Sequence, residues 1–218
     1  ARFMACAPVL YYCSVCSSPV LTFIMALASG GNTTPYDTET FKVISMFGNV
    51  LVTLLIFYLM HVNHSIVSIT IERFKQVKNH LLFIIITFVI VEAISSLYNW
   101  LLNFLPQSLQ FDDTVNNKEV LKMFDVNWLI PVSLLAGVIL IPLVEELIFR
   151  HLIIHELGKK ITYPLAAVVS IILFAALHVL DMKSPFEIGD YLIIAIGVVT
   201  VYMRSGRNLA ASFTFHAL

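Results

Sequence analysis

Long apolar runs alternate with short polar loops along this chain. A helix needs roughly 20 residues to cross the hydrocarbon core of a bilayer. Runs of that order lie near residues 6–29, 42–62, 81–105, 128–155, 162–181 and 190–204, and another opens near 209. Backbone in lipid must satisfy its own hydrogen bonds, so the pattern predicts helices. It lacks the short alternating strands of a barrel. The loops also alternate in charge. One set carries Arg73, Lys75 and Lys78, then Lys159 and Lys160, then Arg204 and Arg207, and Arg2 belongs with it. The other set is acidic or mixed, with Asp37 and Glu39, then Asp112, Asp113 and Glu119, then Asp181, Glu187 and Asp190. Basic loops remain cytoplasmic, which predicts an inside N-terminus and about seven spans. Trp100 and Trp128 fit the outer interface. The expected fold is all-α: a polytopic membrane helix bundle forming a single integral-membrane domain over 1–218.

Composition agrees. The chain is 59% hydrophobic and only 12% charged, against about 25% charged in a soluble domain. Its mean hydropathy is +0.88. A net charge of -1 gives no reason to expect a nucleic-acid partner. Cys13 and Cys16 form a C-x-x-C, but no second pair completes a zinc site. They read, with Cys6, as soft packing residues in a helix. The apolar start is too long for a signal peptide and lacks a clear cleavage site. The chain opens on Ala1 and stops at Leu218 inside an apolar run, so it reads as a processed piece with a cut C-terminus.

Against this background "LVEELIFRHLIIHELGKK", residues 143–160, stands out. Each charge at mid-bilayer costs about 2.5–3.5 kcal/mol on insertion scales. Glu145 lies 17 residues after Trp128, roughly 25 Å along a helix. Arg150 follows Glu146 by one turn, so the two can pair. Glu145 projects about 100° away and has no local partner by spacing. Such a carboxylate suits a general base. His178, in "LFAALHVLD", lies roughly 24 Å from Thr162, and Phe174 sits one turn before it. His216, in "NLAASFTFHAL", lies about 12 Å from Asn208. Carboxylate and imidazoles from three helices can therefore meet in one polar pocket. His151 and His155 share a face near the cytoplasmic end and read as interface residues.

Three motifs resemble a known family. E-E-x-x-x-R falls at Glu145, Glu146 and Arg150, F-x-x-x-H at Phe174 and His178, and the opening of H-x-x-x-N/D at His216. Their order and spacing look like the CPBP family, the CAAX prenyl endopeptidases and bacteriocin-processing enzymes also called the Abi family. The resemblance covers the motif half, about 128–218. The last motif's Asn or Asp would fall at position 220, past Leu218. The resemblance implies a metal-independent intramembrane glutamic protease with no cofactor. Glu145 would activate water, His178 would help bind it, and His216 would stabilise the oxyanion. Glu146, Arg150 and Phe174 would support them. The implied substrate is a membrane-embedded or lipidated peptide. The small size and lack of extra domains point to a bacterial cell membrane.

Other readings compete. Glu145, His178 and His216 could ligate zinc, although H-E-x-x-H is absent. No G-x-S supports a rhomboid-type serine protease. "EIGDY" departs from the presenilin-type G-x-G-D at Glu187, and Asp190 reads as a helix N-cap. A proton-coupled carrier could use Glu145, His178 and Glu92, though Glu92 reads more simply as pairing with a polar neighbour. A catalytically silent scaffold or bacteriocin-immunity protein would bind its partner through the same helices.

Overall fold

The computed structural model describes residues 39–61, 65–180 and 182–218. The expected span at 6–29, with Cys6, Cys13 and Cys16, lies outside the described residues. The described residues are helical and contain no strand. The helices are α1 (Glu39–His61), α2 (Ile66–Val77), α3 (Leu81–Leu102), α4 (Val115–Lys122), α5 (Ile130–Leu134), α6 (Ile141–Glu145), α7 (Tyr163–His178), α8 (Ile188–Arg204) and α9 (Leu209–His216). Leu135–Leu140 and Glu146–Leu157 take the wider π form.

Among the described residues, four segments are long and apolar enough to cross a membrane: Val43–His61, Ile66–Leu102, Asn127–Leu157 and Pro185–Arg204. Tyr163–His178 is a shorter apolar helix. The expected polytopic helix bundle is thus observed among the described residues, with two shifts. Helix begins at Ile66, well before the expected 81, because no Pro or Gly interrupts 66–102. The charges at 73–78 lower the hydropathy without ending the helical run, which only tightens to a 3-10 turn at Lys78–His80. At the other extreme α7 stops at His178, where 162–181 was expected.

The described residues fall into two compact units, one within 39–66 and 119–144, the other within 67–118 and 145–218. In the first, Val43, Met123 and Leu129 form a buried cluster. The hydroxyl of Ser133, fully buried, donates to the Met123 carbonyl at 2.6 Å.

The second unit is built around α8. Ile84 and Val91 of α3, Val198 and Val201 of α8, and Ala211 and Phe215 of α9 form one cluster. Small residues permit this approach, as they do between membrane helices generally. A Cβ on Gly197 would lie 2.6 Å from Val91 Cγ2 and 2.9 Å from Phe215 Cζ. On another side, α7 meets the π-helix, where Ser170 donates its hydroxyl proton to the Phe149 carbonyl at 3.0 Å. Asn208 caps α9 by accepting from Ala210 N–H at 3.0 Å, and its amide donates to the Arg73 carbonyl at 3.1 Å.

Asp190 does not cap α8. The start is organised upstream, where Ser184 and Glu187 form a capping box followed at once by Pro185 in the first turn. Pro tolerates that position because its missing N–H would be unpaired there. Asp190 lies within the first turn and accepts a hydrogen bond from Asn99 at 3.2 Å.

Candidate active site

The six residues singled out by the motifs converge within the second unit. Glu145 ends α6 and Glu146 opens the π-helix. His178 is the last residue of α7 and His216 the last of α9. The two helix ends bring imidazoles to the adjacent carboxylates, which no local spacing could do.

Glu145 faces both histidines. Its Oε1 lies 3.4 Å from His178 Nε2 and its Oε2 lies 3.3 Å from His216 Nε2. Glu146 is turned the other way. Its Oε1 lies 3.0 Å from His216 Nδ1 and 3.3 Å from an Arg150 terminal nitrogen. Exposure separates the two carboxylates: 19% of the Glu145 side chain is accessible, against none of Glu146 or Arg150. His178 and His216 keep 18% and 13%. Glu145 and the imidazoles are therefore reachable, while the Glu146–Arg150 pair is sealed beneath them. Phe174 joins the layers. Its ring stacks on His178 at 4.3 Å, meets His216 edge-on at 5.8 Å, and lies 5.0 Å from the Arg150 guanidinium carbon.

The hydrogen bonds restrict the protons. The Phe174 carbonyl can only accept, so His178 Nδ1–H donates to it at 2.7 Å. Nε2 is then left on the Glu145 side, an acceptor when the ring is neutral and a donor to the carboxylate when it is protonated. His216 has a carboxylate at each nitrogen, and only the imidazolium can donate to both. The arrangement offers a reachable carboxylate to take a proton and imidazoles to hold or return one.

Sequence reasoning missed a layer behind His178. The Tyr191 ring, from the first turn of α8, stacks on the His178 imidazole with centroids 4.9 Å apart. Its hydroxyl shares a 2.8 Å hydrogen bond with Thr114 Oγ1 and accepts from Asn116 at 3.3 Å. The Glu187 carboxylate, almost fully buried, accepts from the backbone N–H groups of Val115 (3.0 Å), Lys183 (2.8 Å) and Ser184 (3.0 Å). Ser184 in turn donates its hydroxyl proton to the Leu109 carbonyl at 2.7 Å. The S-x-x-E spacing at Ser184 and Glu187 was a legible capping signal. Nothing in the sequence marked Tyr191.

Other candidates fall elsewhere. Glu92 is exposed on α3. His151 and His155 are half-buried and stack on each other at 5.7 Å. Among the described residues no group of three His, Cys, Asp or Glu is arranged to hold a metal ion.

The chain matches no curated protein and no solved structure. Residues 127–218 match one family model, described as Type II CAAX prenyl endopeptidase Rce1-like. That segment contains all six motif residues, and with the long apolar helices it marks an integral membrane protein. Over residues 127–218, the chain is thus similar to the Rce1-like family of type II CAAX prenyl endopeptidases.

Proposed function

We propose that this chain is a CAAX-type intramembrane endopeptidase in which Glu145 activates water without a metal. The observation that carries the reading is a partly accessible carboxylate held between two imidazoles, with a sealed ion pair behind it. In this scheme Glu145 takes a proton from water. The resulting hydroxide adds to the scissile carbonyl carbon, and its electron pair moves to the carbonyl oxygen. Collapse of the tetrahedral intermediate breaks the C–N bond, and the proton held on Glu145 passes to the departing amine. His178, with Nδ1 committed to Phe174, turns Nε2 towards the water. His216 orients both carboxylates and, as imidazolium, has a proton to offer the oxyanion. Arg150 fixes Glu146, which fixes His216.

A water-poor enclosure strengthens each of these interactions. The membrane helices and the family's prenyl-peptide chemistry together favour a membrane-embedded or lipid-modified peptide as substrate. The test is cleavage of a prenylated reporter peptide by the protein in proteoliposomes. Loss of the general base should cost about 10²–10⁴-fold in rate, so Glu145→Gln is expected to fall by that much while still folding. Undiminished cleavage by Glu145→Gln would remove the assignment. Reporter binding with no cleavage by the wild type would favour a silent scaffold.

A further inference from the structure

We propose that Tyr191 is a positioning residue for His178, and that the loop carrying Thr114 and Asn116 sets its pose. The inference deepens the protease reading and rests on it for its kinetic consequence. His178 is the last residue of α7, where a helix frays, and the next residue, Val179, is outside the helix. One hydrogen bond, to Phe174, restrains the ring along one edge. The Phe174 ring covers one face, but without a further contact the imidazole can rock away from it and swing Nε2 from Glu145. The Tyr191 ring lies against the imidazole at an interplanar angle of 28° and opposes that motion.

Tyr191 is itself held through its hydroxyl as well as by packing. Thr114 is buried, and its hydroxyl also accepts from Asn117 N–H at 3.1 Å, so its position is determined by the turn it caps. Asn116 gives the Tyr191 oxygen a second partner. Glu187, one turn before Tyr191, binds Val115 N–H and so ties this loop to the start of α8. The connection runs from loop to tyrosine to imidazole to carboxylate, entirely within one compact unit.

The test uses the full chain in nanodiscs. Tyr191→Phe keeps the ring and loses the hydroxyl; Thr114→Val removes the partner. Each is expected to lower kcat several-fold with KM within about twofold, since substrate contacts persist while orientation degrades. The double variant should lose less than the two singles combined, because both changes delete the same Tyr191–Thr114 hydrogen bond. Tyr191→Leu, without the ring, should lose up to about 100-fold in kcat. A second readout does not depend on proteolysis. Imidazole nitrogen NMR should show His178 resonances shifted and broadened in Tyr191→Leu, with those of His216 unmoved. Wild-type kcat in Tyr191→Leu, additive losses in the double variant, or an unchanged His178 spectrum would each overturn the proposal. If Glu145→Gln still cleaves, the protease reading fails separately, and the NMR result still decides whether Tyr191 holds His178.

Discussion

Glu146 and Arg150 place opposite charges inside the second unit. Both are fully buried, and their 3.3 Å contact is the local i,i+4 pair that spacing predicted. Breaking a buried pair by removing one partner typically costs about 3–5 kcal/mol, because an uncompensated charge remains. Arg150→Met is therefore expected to lower the unfolding midpoint strongly in detergent. Arg150→Met with Glu146→Gln should recover part of that loss, as no buried charge is then left unpaired. A single variant as stable as the wild type would show that the pair bears little load. Local chemistry of this kind was legible from sequence. So was the pose of His178 on Phe174, and Phe57 and His61 show why: the same spacing gives rings 4.2 Å apart and a 2.7 Å contact between His61 Nδ1 and the Phe57 carbonyl. The motif fixes only this helical pose. The approach of Glu145 to His178 comes from tertiary packing, which spacing does not encode.

At the scale of elements, hydropathy located the apolar segments but not their hydrogen-bond register. The π form of Glu146–Leu157 was invisible because composition does not distinguish i,i+4 from i,i+5 bonding. The role of Gly197 was equally hidden, since its value lies in what packs against it. Gly197→Ala should force Val91 or Phe215 to move. Overpacking of this kind costs about 1–3 kcal/mol. A lower unfolding midpoint and reduced cleavage are expected together, because Phe215 adjoins His216. Gly137→Ala is the control, with nothing within 4 Å of its new methyl group. Phe215→Leu should relieve part of the Gly197→Ala defect. Equal tolerance of alanine at both glycines would refute the close-packing argument.

For the whole molecule, the class was legible in the hydropathy pattern, and the family-model match over 127–218 agrees with the extent of the resemblance. The missing part was the layer of loops behind the site. Tyr191, Thr114 and Glu187 are ordinary residues that acquire meaning only when distant loops meet. At this scale the proposed chemistry also predicts insensitivity to chelators, since carboxylate and imidazoles supply every proton transfer. Cleavage should survive exhaustive chelation in proteoliposomes. Loss of activity that added zinc restores would replace the glutamate scheme with a metal one.

The order in which the cluster's parts enter the membrane follows from where they lie in the chain. Glu146 and Arg150 share one helix, so their charges can compensate each other as soon as that segment leaves the ribosome. His216 follows Glu145 by 216 − 145 = 71 residues, which takes about 4–14 s at 5–20 residues per second. During that interval the nascent protein holds its carboxylates without the imidazole that bridges them. The carboxylate–imidazole cluster is therefore completed only after α9 is made, so on the proposed protease reading a half-inserted chain lacks the assembled site.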